Sequence, residues 1–340
     1  MDDSKSVLLF SNCIPVKGAS RSAICDLQRN SFQLIPNTLY DILHDYRGKN
    51  TKEIKSLYDN EYDNEIDEYF KFLIDNELAF TTLEPELFPS IDFSWKSPYK
   101  IENSIIDIDE NSCHPFEKIF KELNDLGCKS VQLRYFTINI TVDDLIEDLR
   151  PSLDSRIKHI DIIMPYSKGF DYNKLFEAHE RINFLTVYSA PENKTIQKFD
   201  TPIFYTVEKI SSSQHCGIVY PANFSINIDH FKEALHGNSC LLGKISVDID
   251  GFIRNCPSTP YKSGHINEIS LLDAVVDESL REFWLINKDQ IAVCQDCEFR
   301  YICTDCRAFT IDNEKYAKPS KCSYDPYNAE WSNPSDNPFN

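Results

Sequence analysis

The spacing of five cysteines near the end of the chain constrains its fold more than any other feature. They follow the pattern Cys294-x2-Cys297-x5-Cys303-x2-Cys306-x15-Cys322. Two residues between cysteines let one tight turn direct both sulfurs at the same ion, and soft metals are bound where several thiolates converge. Core packing alone gives no reason for two such pairs within thirteen residues. The pattern therefore predicts a metal site around which this part of the chain folds.

A second pair of cysteines lies upstream, at the two ends of a predicted hairpin. Cys240 and Cys256 enclose residues 244–254, in which two short apolar runs are separated by Asp250-Gly251. An Asp-Gly pair is typical of a two-residue hairpin turn, which brings the ends of its strands together. We therefore expect Cys240 and Cys256 to meet, so that seven of the twelve cysteines are candidate metal ligands.

The composition predicts a cytoplasmic protein that binds neither membranes nor nucleic acids. A chain of 340 residues can bury two or three cores and does not need disulfides to fold. Residues 1–5 are acidic and polar, the apolar run at 7–10 is too short for a signal sequence, and the chain has no run of about twenty apolar residues that could span a membrane. In a reducing compartment, clustered cysteines indicate metal sites. The net charge of -19 argues against nucleic acid, since phosphates require a basic surface.

Residues 1–88 predict a small module of three antiparallel strands followed by three helices. The strands are expected at 8–13, 23–27 and 32–35. Helices are expected at 38–45, from Asn50 with Glu53 as its reciprocal cap, and at 66–74, where apolar residues recur with helical spacing. This order is that of a winged-helix-like module. Because residues 38–88 hold thirteen acidic and five basic residues, DNA would be repelled, and capture of an extended peptide at the open sheet edge is favoured.

The order and lengths of these elements resemble the recognition element of enzymes that modify ribosomally synthesised peptides (RiPPs). The resemblance implies that the strand at 26–35 receives the leader of a precursor peptide and that the helix at 66–74 forms the other wall of the groove. A structural cap on the next domain is the alternative. The residues implied for peptide binding are Asp26, Leu27, Gln28, Phe32, Leu34, Ile66, Tyr69, Phe70 and Leu73.

Residues 99–235 alternate predicted strands and helices, and we expect them to form an open, partial (β/α) barrel. Strands are expected at 104–108, 130–135, 159–164, 184–188 and 203–207, with helices at 116–126, 142–149 and 172–182, the second of them capped by Thr141. Further along the chain a helix is expected at 271–284, with Leu272, Val275, Val276 and Leu280 facing inward. Strand spacings of roughly 25 to 30 residues are those of βαβ units, which form parallel sheets with right-handed crossovers. Five or six such repeats fall short of a closed barrel. The expected fold class is therefore α/β and multidomain.

The carboxyl ends of these strands, where parallel sheets gather functional residues, carry no familiar catalytic motif. The chain also has no nucleophile elbow, phosphate-binding loop, dinucleotide fingerprint or zinc-protease motif. The barrel partly resembles that of radical S-adenosylmethionine enzymes, which carry a CxxxCxxC cluster motif after the first strand and a glycine-rich run after the second. Here the first loop, 109–115, holds Cys113 alone, and residues 133–137 stand in place of the glycine-rich run. His114, beside Cys113, is expected to be solvated or to cap the following helix. The resemblance implies no autonomous radical chemistry and no bound S-adenosylmethionine.

The seven late cysteines resemble those of the SPASM domain, the C-terminal extension of peptide-modifying radical S-adenosylmethionine enzymes, which holds two auxiliary iron–sulfur clusters. Six of the seven positions match the family spacing, and Cys303-x2-Cys306 is one residue shorter than usual. The resemblance implies a C-terminal cysteine-rich SPASM-like domain at 236–325, followed by a tail at 326–340.

The ligands of two 4Fe-4S clusters follow from this resemblance, position by position. One cluster would be bound by Cys294, Cys297, Cys303 and Cys322. The other would be bound by Cys240, Cys256 and Cys306. Its fourth position is left open: it falls to Cys216, His215 or His236, or one iron stays without a protein ligand. Tetrahedral zinc on Cys294, Cys297, Cys303 and Cys306 is the alternative, although it leaves three cysteines unexplained.

The chain as a whole resembles the SPASM-containing maturases encoded beside ATP-grasp ligases in graspetide gene clusters. The resemblance implies a maturation factor that binds the leader of a precursor peptide and presents its core to a partner ATP-grasp peptide ligase. Two alternatives remain. One is a redox enzyme that modifies peptide at an open auxiliary cluster, and the other is a zinc-stapled protein-binding module.

Overall fold

The computed structural model describes residues 2–136 and 140–332 and shows a mixed α/β protein with a large, mainly parallel sheet. None of the helices in these residues has the length and apolar character needed to cross a membrane. Two residue ranges named above reach beyond the described residues. Thr137, the last residue of 133–137, lies outside them, and so does the part of the predicted tail at 333–340.

The N-terminal part contains five strands and three helices. They are β1 (Ser6–Leu9), β2 (Cys13–Lys17), β3 (Ser22–Asp26), β4 (Ser31–Ile35), α1 (Asn37–Asp45), α2 (Thr51–Leu57), α3 (Asp63–Asp75) and β5 (Ala79–Thr82). Strands β2, β3 and β4 form an antiparallel sheet in that order, whereas β1 pairs with β5. Among the described residues, β4 is thus an edge strand of its sheet.

The first strand of this sheet differs from the prediction. We expected it at 8–13, but the chain turns after Leu9 and the strand begins at Cys13. Pro15 lies inside the true strand and interrupts the sequence pattern. Proline is tolerated here because β2 is itself at an edge of the sheet.

The helices of this part form where their caps and apolar spacing predict. The Asn50 side chain accepts from the Glu53 backbone N–H, and the Glu53 carboxylate accepts from the Asn50 N–H, which confirms the predicted reciprocal cap. On α3, Ile66, Phe70 and Leu73 lie on one face and are fully enclosed. They join β1, α1 and α2 in a core of their own.

Nine strands form the central sheet. The remaining elements are β6 (Asn103–Ile108), α4 (Phe116–Leu126), β7 (Ser130–Tyr135), α5 (Val142–Leu149), β8 (His159–Pro165), α6 (Tyr172–Ala178), β9 (Ile182–Tyr188), β10 (Lys194–Lys198), β11 (Thr201–Tyr205), α7 (Ile228–His236), β12 (Lys244–Val247), β13 (Phe252–Arg254), β14 (Gly264–His265), α8 (Leu271–Val276), β15 (Tyr324–Asp325) and β16 (Glu330–Trp331). The strand order is β10-β11-β9-β8-β7-β6-β12-β13-β14. Neighbours from β11 to β12 are parallel, and the outer strands β10, β13 and β14 are antiparallel to theirs.

The parallel strands are buried because helices cover them. Strand β6 is buried on both faces, as expected for a strand enclosed between layers, and its one charged residue, Asp107, is paired with Arg134. Helix α4 packs Ile119, Phe120 and Leu123 inward and ends at Gly127, whose positive φ of 85° supplies the left-handed residue that stops many helices. The predicted alternation of strands and helices over residues 104–188 is confirmed.

Two predicted helices are shorter than expected. We predicted 172–182, but α6 ends at Ala178, since His179 turns inward to bond Ser152 and the chain enters β9 at Ile182. We also predicted a helix over 271–284, but α8 ends at Val276. The Asp277 carboxylate accepts hydrogen bonds from Tyr261, Ser263 and the Ser279 backbone, and such local bonds compete with helix formation.

The inward-facing residues predicted for this helix are partly wrong. Val275 and Leu280 are buried as expected. Leu272 and Val276 are exposed, because the helix is too short for its whole predicted face to reach the core.

The cysteine-rich part of the chain does not stand apart from the rest. Its hairpin, β12 and β13, continues the central sheet, because β12 pairs in parallel with β6. A third core joins this part to the N-terminal sheet: Val16 and Leu27 pack there with Phe299, Ile302 and Cys303. The candidate site therefore lies between the first and last parts of the sequence.

Candidate metal centres

Cys297, Cys303 and Cys322 lie at the third core, whereas Cys294 packs with Ile286 and Ile291 and interacts electrostatically with Cys303 and Cys322. We call these four residues the inner cysteine group. A short turn at Cys294–Asp296 directs the first two toward each other, with the Cys297 N–H donating to the Cys294 carbonyl at 3.0 Å. A second turn carries Cys303, whose N–H donates to the Phe299 carbonyl at 3.0 Å. These turns are what the x2 and x5 spacings predict.

The thiols of the inner group are close enough to affect one another's charge. The pKa of the Cys294 thiol is raised to about 12, chiefly by burial; the Lys288 charge opposes this rise, and the charges of Asp305, Cys303 and Cys322 add to it. Burial likewise raises the pKa of Cys297 well above its usual value, with smaller contributions from Cys303 and Cys294. Without a positive partner these thiols stay protonated, so a metal would have to displace their protons on binding.

A second set of four cysteines, the outer cysteine group, lines a single cavity of about 340 Å³. Its members are Cys216, Cys240, Cys256 and Cys306. The β12–β13 hairpin brings Cys240 and Cys256 together. Burial raises the pKa of the Cys256 thiol to about 12, and nearby Cys240 raises it further. Three members were predicted to share a site, and Cys216 was one of three candidates for its fourth position.

Residues 212–219 hold Cys216 at this cavity. The Lys321 ammonium donates to the Cys216 carbonyl at 2.7 Å, and the Val219 N–H donates to the Lys321 carbonyl at 3.2 Å. Gly217 has a positive φ of 87°, and a Cβ there would lie 2.8 Å from the Cys306 sulfur. Only glycine allows this segment to approach Cys306 so closely.

The two histidines considered for the fourth position are less well placed. His215 lines the same cavity, but its Nε2 lies 3.8 Å from the Glu208 carboxylate. His236 is exposed at the end of α7, where its Nδ1 hydrogen-bonds the Lys232 carbonyl at 2.8 Å, away from the cavity. Of the three candidates, the geometry favours Cys216.

Each cysteine group has a lysine beside it. The Lys288 ammonium donates to the Cys303 sulfur at 2.8 Å, and the Lys244 ammonium to the Cys240 sulfur at 3.6 Å. Burial alone would lower the pKa of Lys288, but the charges of Cys303 and Cys294 outweigh it and the pKa lies above its ordinary value. Cations aimed at sulfur suit ligand sets that become anionic, so the residues present fit iron–sulfur clusters.

A buried polar bridge connects the two groups. The Asn238 side chain donates to the Asp305 carboxylate at 2.8 Å, and Asn238 accepts from the Cys240 N–H at 3.0 Å. Arg307 lines the outer cavity, and its guanidinium lies 2.7 Å from the Asp305 carboxylate. Asp305 is buried, and it lies in the sequence between Cys303 of the inner group and Cys306 of the outer group. A chain of hydrogen bonds and ion pairs thus runs from one group toward the other.

No His, Cys, Asp and Glu side chains within residues 2–136 and 140–332 are set, in threes or more, to hold a single metal ion. The two cysteine groups are defined by a shared cavity and by mutual electrostatic interaction. Their assignment as metal ligands stays a prediction.

A buried ion pair lies near the carboxyl end of β6, the first strand of the parallel sheet. Asp107 and Arg134, from β6 and β7, form two hydrogen bonds of 2.6 and 2.8 Å and are buried. Cys113 is exposed in the loop that follows. His114 was expected to be solvated or to cap α4; instead its Nε2 hydrogen-bonds the Asp107 carbonyl at 2.7 Å. Burial lowers the pKa of His114.

The residues predicted to bind a peptide are divided between surface and core. Gln28 is exposed, and Phe32, Leu34 and Tyr69 are half-buried, so a peptide could contact them. The remaining five are buried and offer no contact surface: Asp26, Leu27, Ile66, Phe70 and Leu73. These five shape the module from within, and direct contact stays a prediction for the other four.

The N-terminal sheet docks on the loop that carries three inner cysteines. The Ala19 N–H donates to the Asp296 carbonyl at 2.7 Å, and the Arg21 guanidinium pairs with the buried Glu298 carboxylate at 2.8 Å. The Phe32 ring meets the Phe299 ring edge-on, with centroids 5.3 Å apart. Sequence reasoning missed these contacts, since nothing local indicates which residues meet across the whole chain.

Comparisons with known proteins add little to this picture. No protein-family model matches the chain, and no curated protein matches it. Among solved structures, it is similar to SuiB of Streptococcus suis. The form bound to S-adenosylmethionine is 14% identical, with a TM-score of 0.37 over 93% of this chain and 100% of that one. The form bound to the precursor peptide SuiA is 13% identical, with a TM-score of 0.35 over 93% and 100%. These scores are too low to establish a common fold.

Proposed function

We propose that this protein is a maturation factor for a ribosomally synthesised peptide. In this proposal the winged-helix-like module at 1–88 binds the leader of the precursor, and the chain presents the core of the peptide to a partner ATP-grasp ligase. The partial barrel at 99–235 connects the module to a SPASM-like domain at 236–325. The ligase partner is proposed from the resemblance to maturases of graspetide gene clusters. The geometry of the N-terminal sheet and of the cysteine groups supports the proposed leader binding and the proposed cluster sites.

The observation that carries the proposal is the contact between β4 and the inner cysteine group. Phe32 and Leu34 are two residues apart on β4, so they share a face, and both pack at the third core beside the 294–303 loop. A peptide strand that extends the sheet beside β4 would place alternate side chains on this same face. A peptide bound beside β4 would therefore lie close to the 294–303 loop and could change its packing.

The cysteine groups would hold two 4Fe-4S clusters, which supply one-electron redox capacity or act as structural cross-links when bound. Cys294, Cys297, Cys303 and Cys322 would hold one, and Cys216, Cys240, Cys256 and Cys306 the other. The protein supplies the enclosure: the third core covers the inner group, and residues 212–219 cover part of the outer group.

A labelled peptide tests the proposal directly. The candidate precursor is first sought as a short reading frame adjacent to the gene of this chain, and its synthetic peptide is then used whole, as leader alone and as core alone in fluorescence anisotropy. We expect the leader to bind as tightly as the whole peptide and the core to bind at least about tenfold more weakly, a difference of about 1.4 kcal/mol. Equal binding of leader and core, or no binding of either, would refute it.

Backbone methylation of the leader tests the mode of binding without altering the protein. An added β-strand uses the N–H groups of alternate residues, so methylation should weaken binding at every second position and be tolerated between them. A uniform response along the leader would argue against strand addition at β4.

Metal analysis separates this proposal from a zinc-stapled binding module. Protein purified without oxygen should contain iron and acid-labile sulfide in equal amounts. Zinc without sulfide would favour the binding module and remove the iron–sulfur clusters from the proposal.

A second function, peptide modification by redox chemistry, is favoured by one observation. The outer group borders a cavity, and its Cys216 is exposed to solvent. A substrate side chain could reach this group, whereas no cysteine of the inner group is exposed: Cys294 and Cys303 are buried, and Cys297 and Cys322 are half-buried. A change in the mass of the probe peptide on anaerobic incubation with this protein and a reductant, without any ligase, would support this second function over the first.

A further inference from the structure

Two lysines are aimed at the two cysteine groups, one at each. Lys288 is 4% exposed, and its ammonium also donates to the Thr304 carbonyl at 3.1 Å, which fixes it beside Cys303. Lys244 is the first residue of β12, and its ammonium points back at Cys240, four residues earlier. Neither arrangement follows from the spacing of the cysteines, because each lysine reaches its group through the fold.

Neither ammonium is paired with a carboxylate in the described parts of the chain. The acidic groups that interact with them from a distance are Asp305, near Lys288, and Glu233, near Lys244. Asp305 is already engaged by Arg307 and Asn238. A buried ammonium that faces neutral thiols is costly, because it has lost its water without gaining a negative partner. An anionic group at the sulfurs would supply the close negative partner that both ammonium groups otherwise lack.

We propose that Lys288 and Lys244 are the potential-setting cations of the two iron–sulfur clusters, one for each cysteine group. The inference rests on the clusters of the proposed function. When a cluster is reduced, one electron passes to it from the reductant and no bond is made or broken, so its negative charge grows by one. A nearby N–H···S hydrogen bond from a cation stabilises that added charge and raises the reduction potential.

The two lysines differ in strength. Lys288 lies 0.8 Å closer to its sulfur than Lys244 does, from the 2.8 and 3.6 Å distances, and is enclosed beside the third core. An ion interacts more strongly at short range in a medium of low polarity. Lys244 is half-buried and serves a group that opens to solvent at Cys216, where water and salt weaken its effect. Lys288 therefore shifts its cluster more than Lys244 shifts the other.

Redox titration of the reconstituted full-length protein, followed by electron paramagnetic resonance with dithionite and mediator dyes, tests the inference. Lys288→Met should lower the reduction equilibrium constant of one cluster by at least about tenfold, which is 59 mV for a one-electron couple, and leave the other cluster unchanged. Lys244→Met should shift only the other cluster, and by less. A Cys216→Ser variant identifies which signal belongs to the outer group.

Conservative variants separate this role from a structural one. Lys288→Arg and Lys244→Arg keep the positive charge and should keep the potential near that of the wild type. Lys288→Gln is a second neutral variant. If Lys288→Gln loses iron while Lys288→Arg retains it, the positive charge is needed beside an anionic cluster, which would also support the inference. Loaded clusters with unchanged potentials in both neutral series would overturn this inference alone. Absence of iron and sulfide from the wild type would overturn the proposed clusters as well.

Discussion

The inner and outer cysteine groups have the same number of thiols but differ in what surrounds them. The inner group borders a cluster of aromatic residues from both ends of the chain, in which the Phe299 ring contacts the rings of Phe32, Phe224 and Tyr324. The outer group lines a cavity and exposes Cys216. The difference leads us to expect that the inner group contributes more to the stability of the protein, and that the outer group is the more accessible to molecules in solution.

The largest expected difference between the groups is in the stability that metal confers. Structural metal sites contribute on the order of 10 kcal/mol to folding. Cys303→Ser should remove the inner cluster and lower the melting temperature of the reconstituted protein strongly, because its loop also holds the N-terminal sheet. Cys216→Ser should remove outer iron with a much smaller change in melting temperature. Calorimetry with iron analysis checks both, and equal losses of stability would break the comparison.

A single aromatic substitution tests the enclosure of the inner group. Phe299→Ala removes a fully buried ring from the third core and should cost about 3 to 5 kcal/mol in the free energy of unfolding. Phe309→Ala is the matched control, since Phe309 lines the outer cavity and is only half-buried; it should cost about 1 kcal/mol. Urea unfolding measures both, and a comparable cost at the two positions would contradict an enclosed inner group.

The ion pair beneath the inner loop sharpens the comparison further. Arg21→Ala leaves the fully enclosed Glu298 carboxylate without its guanidinium and should cost about 3 kcal/mol. Arg29→Ala is the control from the same sheet. Arg29 is half exposed and pairs with the exposed Glu77, and its longer contact of 3.7 Å to the buried Asp26 is backed by hydrogen bonds to Asp26 from Asn12 and the Gln28 N–H, so the loss should stay below about 1 kcal/mol. If docking supports the inner group, Arg21→Ala should also lower its iron content while Arg29→Ala does not.

The smallest expected effect concerns the outer group. Gly217→Ala places a methyl group against the Cys306 sulfur, whereas Gly169→Ala introduces the same kind of backbone strain, at φ of 82°, into open space. Each should cost about 1 kcal/mol in stability from the positive φ alone. Only Gly217→Ala should reduce iron in the outer group. Equal iron contents in the two variants would show that the approach of residues 212–219 to Cys306 is unimportant.

Local signals in the sequence predicted local structure well. The reciprocal cap at Asn50, the Thr141 cap of α5 and the Asp250-Gly251 hairpin were all predicted and are confirmed. Each depends on residues a few positions apart, whose chemistry decides the backbone path by itself. The helix expected at 271–284 failed because Asp277 bonds to Tyr261 and Ser263, which its own neighbourhood in sequence does not reveal.

The candidate site was predictable only in part, for the same reason. Spacing grouped Cys294, Cys297 and Cys303, and the hairpin grouped Cys240 with Cys256. Cys216 could be named only as one candidate among three, since it reaches the cavity through a segment held by Lys321. Nothing in the pattern indicated Lys288, because a lysine beside a thiol is recognisable only once the fold has brought them together.

The Arg21–Glu298 pair has a consequence for how the protein is made. Its partners are 277 residues apart, so a ribosome that adds about 5 to 20 residues per second completes the second partner roughly 15 to 55 s after the first. For most of that interval the newborn N-terminal sheet carries Val16, Cys25 and Leu27 without their partners in the third core, because residues 219–231 are synthesised late and Phe299 and Ile302 later still. Production of the protein in a cell should therefore depend on chaperones that shield this face until translation ends.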